Sequence, residues 1–326
     1  MKRLITLDDF IETYTKLNQR GLKFIASKFN FNDLERAKTA FNYEKISSAN
    51  WWIIPKVKER WNSIITGNKN LEIEEFIVKR FLSSKKDVKM LSLGSGSCYS
   101  ELKFAEYPIF NEILCTDIAD KALNLARTKA KQKNLSNINF EVQNVNTFNF
   151  PKNYFDIVYF RSSLHHFKNI EKLLGSSVKE TLKNDGLLII NEYVGPDRFQ
   201  FSKHQMKSIN KAMKLIPKKY RQRFNLKVNK NKIYGSGLLR MIIADPSESI
   251  ESSKILPIIH KNYETIHEAG YGGNILKMTL KDIAHHFIEL DEEKDAVLNH
   301  LFEFEDDYLK KHNSDYYFGV YKSKNI

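Results

Sequence analysis

Val88-Lys89-Met90-Leu91-Ser92-Leu93-Gly94-Ser95-Gly96-Ser97-Cys98 is the stretch on which the fold turns. A short apolar run ending in two nearby glycines reads as a buried strand followed by a tight turn. Glycine at that point lets the backbone approach a ligand, because no side chain intervenes. Downstream, strand and helix patterns alternate. EILCTDI (112–118) reads as a strand and KALNLARTKAKQ (121–132) as a helix. INFEVQN (138–144) and YFDIVYFR (154–161) read as strands, IEKLLGSSVKETL (170–182) as a helix and GLLIINEYV (186–194) as a strand. This alternation predicts an α/β fold, a parallel sheet covered by helices on both faces.

The flanks read differently. Residues 1–86 are predicted helical, with apolar positions at helical spacing from Leu71 to Phe81 and a break at Gly67, Asn68 and Asn70. Trp51, Trp52, Ile53 and Ile54 precede Pro55, which suits a helix start. After Gly195 the alternation stops. QFSKHQMKSINKAMKLIP (200–217) is amphipathic, and Pro217 ends it. Two late strands are expected at 263–273 and 316–323, with a helix over 281–312 between them. The expected organisation is an N-terminal helical region (1–86), a core (87–194 and 259–326) and an inserted helical cap over the substrate (195–258).

Composition narrows the class. Among 326 residues, 42% are hydrophobic and no apolar run reaches the length of a membrane span. The N-terminus lacks the apolar segment of a secretory leader. Two cysteines, Cys98 and Cys115, build no disulfide scaffold. A cytoplasmic protein with no membrane insertion is expected. The net charge of +13 raises the question of nucleic acid, but only 11 of the 52 basic residues are Arg and the Lys are scattered. Base and phosphate recognition concentrates Arg, so a nucleic-acid partner is not expected. The densest basic run, Lys218 to Lys232, reads as a solvated helix and loop.

Asp117 follows Gly96 by twenty-one residues, at the end of the next strand. A carboxylate there can accept both ribose hydroxyls of a nucleoside cofactor. A dinucleotide fingerprint needs a third glycine where this chain has Tyr99, which disfavours a nicotinamide cofactor.

These residues resemble class I S-adenosylmethionine-dependent methyltransferases. The resemblance is carried by LSLGSGS (91–97), CTDIAD (115–120), FDIVYFRSSLHHF (155–167) and LKNDGLLIINEYVGP (182–196). It implies a Rossmann-like, mostly parallel sheet with an antiparallel last strand, and S-adenosyl-L-methionine as cofactor. Gly94, Ser95 and Gly96 would line its methionine part, Asp117 the ribose and Ile118 the adenine. Asn144 stands where the family often has an acid near the adenine amine, and Val145 beside it joins the expected cofactor wall. Arg161 lies where the family places residues next to the cofactor, and can instead pair with the methionine carboxylate or a substrate anion. WWIIPKVKERWNSIITG (51–67), NEYVGPDRFQ (191–200), ADPSESIESSKILP (244–257) and YGGN (271–274) are similar to a bacterial subgroup encoded near cell-surface carbohydrate genes.

Methyl transfer to a hydroxyl calls for removal of its proton. His165 and His166 follow the fourth strand at the carboxyl edge of the sheet, where α/β ligands bind. His165 is the candidate general base. As neighbours, one ring is expected to face the pocket and the other to turn away. Glu192, at the end of the fifth strand, can orient a His or accept a proton, and Tyr193, Arg198 and Gln200 are candidates for substrate contact. Arg240 lies in an apolar stretch and needs a partner, with Glu192, Asp245 or a substrate phosphate as candidates. Trp51, Trp52 and Trp61 suit either a sugar-stacking wall, Trp52 foremost, or glue for the N-terminal helices. No metal-ligand spacing appears, His285 and His286 included, and metal-independent chemistry is expected. The expected activity is O-methylation of a small molecule, anionic or sugar-linked, such as a bacterial surface sugar or nucleotide-linked sugar. Alternatives are N- or C-methylation of a natural product, quinone or peptide, an RNA-binding methyltransferase, and a non-catalytic binding subunit.

Overall fold

A computed structural model describes residues 2–27 and 49–324. The helical expectation for residues 28–48 lies outside the described residues. Seven strands form one sheet: β1 Val88–Leu93, β2 Phe110–Asp117, β3 Ile138–Val142, β4 Phe155–Arg161, β5 Leu182–Tyr193, β6 Tyr263–Gly272 and β7 Tyr316–Ser323, in the order β3-β2-β1-β4-β5-β7-β6. β7 runs antiparallel to both its neighbours, and the other six strands share one direction. The fold is therefore the mostly parallel, Rossmann-like sheet expected from the alternation. The order reverses between β1 and β4, and ligands of such sheets bind at the carboxyl ends beside that reversal.

The continuous apolar character of the central strands follows from burial on both faces. Met90, Ile113, Cys115, Tyr159 and Ile189 belong to one buried cluster, while Leu91, Leu93, Val158, Phe160 and Ile190 belong to another. Successive strand residues point to opposite faces, so both parities must be apolar.

A third cluster lies beyond the end of β5. It joins Trp51, Ile54 and Val57 to Tyr193, Phe201, Ile209, Met213, Leu298 and Leu301. The helix Lys203–Leu215 buries Ile209, Ala212 and Met213 there, and Ser202 caps it by accepting from Gln205 N at 3.1 Å. Pro55 opens the helix Pro55–Thr66, and Gly67 closes it in the left-handed region at φ 79°.

The predicted helix over 281–312 is shorter than its pattern. Ala284–Phe287 is a single 3₁₀ turn, and the α-helix runs Glu292–Leu309. Asp291 is the reason: its side chain accepts from Lys294 N at 2.8 Å and caps a fresh helix start. No described helix is long and apolar enough to cross a membrane.

Candidate active site

The glycine turn after β1 is built for close approach. Gly94 takes φ +70°, and a Cβ there would lie 2.7 Å from the Ser163 Cβ. Gly96 takes φ +53° and faces open space, with nothing within 4 Å of where a Cβ would sit. Gly94 N and Ser95 N donate to Thr116 O at 2.8 and 3.1 Å, tying the turn to β2. Asp117 then reaches back: Gly96 N donates to its Oδ2 and Ala119 N to its Oδ1, both at 2.7 Å. Each carboxylate oxygen keeps capacity for a further donor. Burial pushes the Asp117 carboxyl above its ordinary value, and the two backbone N–H groups oppose that shift.

The loop after β4 packs against this turn. Ser163 Oγ donates to Leu93 O at 2.7 Å. Glu192, fully buried at the end of β5, accepts from Ser163 N at 2.5 Å and Leu164 N at 2.8 Å. Its other oxygen lies 2.7 Å from His165 Nδ1. In the neutral ring that bond places the proton on Nδ1 and leaves the lone pair on Nε2. Burial opposes the charge on His165, yet Glu192, joined by Glu248, more than offsets it, so its pKa is raised.

His166 does not turn away from its neighbour. The two rings lie 4.2 Å apart, and both act on Glu248 from the inserted segment. His165 Nε2 is 3.5 Å from Glu248 Oε1, and His166 Nδ1 is 3.2 Å from Ser247 Oγ and 3.9 Å from Asp245 Oδ2. Burial and the charge of His165 lower the His166 pKa. Burial penalises the Glu248 carboxylate, but His166, His165 and Lys277 hold it down at about 2. Ser162, Arg198, Phe199 and Ser249 around this edge all take positive φ, the kind of local strain that collects at functional sites.

A profile of the methyltransferase-domain family matches residues 84–269, more than half of the chain. The chain belongs to this family. The uncharacterized methyltransferase YcgJ of Bacillus subtilis is 27% identical over 109 residues, 33% of this chain and 42% of that protein. The ubiquinone/menaquinone biosynthesis C-methyltransferase UbiE of a Shewanella strain is 28% identical over 137 residues, 40% of this chain and 54% of that protein. The chain thus spans about half the length of these relatives. Among solved structures, that of YcgJ aligns with a TM-score of 0.43 at 16% identity, covering 77% of this chain and 98% of that one. Phosphoethanolamine N-methyltransferase 2 of Haemonchus contortus, in complex with S-adenosyl-L-methionine, aligns with a TM-score of 0.48 at 16% identity, covering 83% and 57%.

S-adenosylmethionine is the cofactor expected for a chain of this family, and the residues present fit it. Gly96 opens on free space, and Asp117 retains acceptor capacity beside it. Ile118 is half-buried next to Asp117, and Val145 is buried. The Asn144 side-chain oxygen accepts from Asn146 N at 3.0 Å and Asn146 Nδ2 at 3.1 Å, closing a turn. Arg161 is accessible at the end of β4, 5.1 Å over the Tyr99 ring. Its surroundings penalise the charge, but Tyr159, Glu74 and Glu101 outweigh that and raise its pKa.

Other expected site residues are tied to structure. Tyr193 is buried, with its hydroxyl donating to Pro196 O at 2.9 Å. Arg198 clasps the inserted segment, donating to Glu248 O at 2.9 Å and Pro246 O at 2.6 Å. Gln200 donates to Arg198 O and Ser236 O and accepts from Arg3 N. Arg240 pairs with Asp9 at 2.8 Å and Glu12 at 2.5 Å, not with Glu192 or Asp245. Those partners come from the N-terminal helix Leu7–Ser27, which no local pattern linked to residue 240. Trp51 is buried 4.6 Å from Trp61, whereas Trp52 is 47% exposed.

Sequence reasoning missed Glu248 and Lys277. Glu248 lay inside the quoted ADPSESIESSKILP motif without a role. Lys277 had no signal at all. Its ammonium sits 3.5 Å over the Phe199 ring, 4.5 Å over Tyr193 and 5.3 Å over Tyr316. Burial pulls its pKa down to about 8, against the opposing pull of Glu248 and Asp315.

Proposed function

We propose that this methyltransferase moves the methyl group onto a hydroxyl of a small, sugar-linked or anionic acceptor, with His165 as general base. The observation that carries the reading is the pairing of His165 Nδ1 with the buried Glu192 carboxylate at 2.7 Å. It turns the lone pair of Nε2 outward, toward Glu248 and the enclosed edge. Bound beside the glycine turn, S-adenosylmethionine supplies an electrophilic methyl carbon on a sulfonium. The chain's own residues then have three tasks. Asp117 holds the ribose hydroxyls, and Arg161 takes the methionine carboxylate. His165 would take the proton of the acceptor hydroxyl, and Glu192 would stabilise the imidazolium that forms. Lys277 faces an anionic group of the acceptor, and the inserted segment 195–258 caps the site. A nucleotide-linked or cell-surface sugar meets these demands, and the two free, buried cysteines suit a cytoplasmic setting.

The test supplies methyl-labelled donor and a panel of nucleotide-linked sugars, and locates the label by nuclear magnetic resonance. Label on oxygen is expected. Label on nitrogen or carbon overturns the reading. The likeness to a C-methyltransferase of quinone biosynthesis supports a second reading, transfer to an activated ring carbon, and quinol precursors belong in the same panel.

A further inference from the structure

Two imidazoles and a carboxylate converge at the acceptor edge. Ligand atoms of His165, His166 and Glu248 all lie within 4.8 Å of one another, and His165 Nε2 is 3.5 Å from Glu248 Oε1. Nitrogen and oxygen ligands held tetrahedrally around zinc stand about 3.4 Å apart. The second nitrogen of His165 is already fixed by Glu192, which is itself locked by Ser163 N and Leu164 N. A carboxylate behind an imidazole in this way sets the tautomer and orientation of a metal-bound histidine. The charge balance agrees. Glu192, Glu248, Asp245 and, on the cofactor side, Asp117 act on this pair, against the ammonium of Lys277 among the described residues. Carboxylates outnumber cations there, so a divalent ion relieves mutual repulsion. The edge is also reachable: the side chains of His165, His166 and Glu248 keep 10%, 16% and 28% exposure.

We propose that His165, His166 and Glu248 bind one divalent ion of the zinc class, leaving a fourth position open. Two histidines with one carboxylate suit such an ion. The ion occupies the Nε2 lone pair of His165. On the reading of His165 as general base, an ion there blocks proton abstraction, so the metal inhibits methyl transfer rather than assisting it.

The experiment uses the full chain, stripped of metal by a chelator and titrated with cobalt(II), read by visible absorption. One equivalent is expected, with the bands of a four- or five-coordinate ion, displaced by zinc. Glu248→Gln keeps the side-chain size and should weaken binding at least tenfold. Glu192→Gln removes no ligand but releases His165, and should weaken binding about 10–100-fold. His166→Ala should abolish the bands, and if that variant does not fold, Glu248→Gln still decides. A wild-type protein without such bands at millimolar cobalt overturns the site, as does an unchanged titration in Glu248→Gln. No turnover enters this readout, so its failure leaves the general-base reading standing. Turnover unchanged at saturating zinc, with the cobalt bands intact, instead refutes the inhibitory role and the base assignment behind it.

Discussion

The two sides of the carboxyl edge are made differently. On the β1–β2 side the candidate ligand groups are local: the Gly94–Gly96 turn, tied to Thr116 O, and the Asp117 carboxylate held by Gly96 N and Ala119 N. On the β4–β5 side they are side chains gathered from distant segments: His165, Glu192, Glu248 and Lys277. A cofactor shared across a family can be held by local backbone geometry, which tolerates change elsewhere. An acceptor and its chemistry need particular side chains, which only folding brings together.

That contrast can be broken at several points. His165→Ala should cut turnover by about 10²–10⁴-fold and leave affinity for S-adenosylhomocysteine nearly unchanged, as read by steady-state kinetics and calorimetry. Near-normal turnover would remove His165 from the chemistry.

The glycine pair separates folding from binding. Gly94→Ala combines positive φ with a 2.7 Å approach to Ser163 and should cost about 3 kcal/mol of stability. Gly96→Ala has the φ strain alone, about 1–2 kcal/mol, because its methyl meets only open space. It should nevertheless weaken cofactor binding at least as much as Gly94→Ala does. Denaturant unfolding and calorimetry on both variants check this. Cofactor affinity retained in Gly96→Ala, with a loss only in Gly94→Ala, would mean the space beside Gly96 is not the cofactor's.

The acceptor side should also be the pH-sensitive one. Asp315 is pushed up to about 7 by burial, against Gln205 and Lys277, with Glu305 adding to the shift. The unfolded chain loses that proton near pH 4, while the folded protein keeps it up to about 7. Stability should therefore fall as pH rises from about 4 to 7, by an amount on the order of a few kcal/mol. Asp315→Asn should flatten that slope, and a slope unchanged by the substitution would assign it elsewhere. Trp52→Ala tests the smallest effect. With Trp52 47% exposed, stability should change by less than about 0.5 kcal/mol in thermal melts, whereas a large rise in acceptor KM would make it a substrate wall.

What was legible follows the same division. Strand positions at 88–93, 110–117 and 155–161 were readable because burial on both faces demands continuous apolar runs. Pro55 and Gly67 announced a helix start and stop through their own backbone preferences. The pattern over 281–312 misled, because apolar spacing alone does not reveal that Asp291 caps a separate helix. Adjacent His165 and His166 were expected to diverge, but they sit in a 3₁₀ turn, Leu164–His166, with rings 4.2 Å apart.

The sequence by itself determined the sheet, the glycine turn and the acid that follows it. These depend on periodicity, chain stiffness and contacts within a few residues or between neighbouring strands. Only the tertiary structure decided that Glu248 meets His165 and His166, that Lys277 rests on Phe199, and that Arg240 pairs with Asp9. Those pairings join segments about 80 to 230 residues apart, where Coulomb and ring contacts depend on distance in space and leave no trace in spacing along the chain.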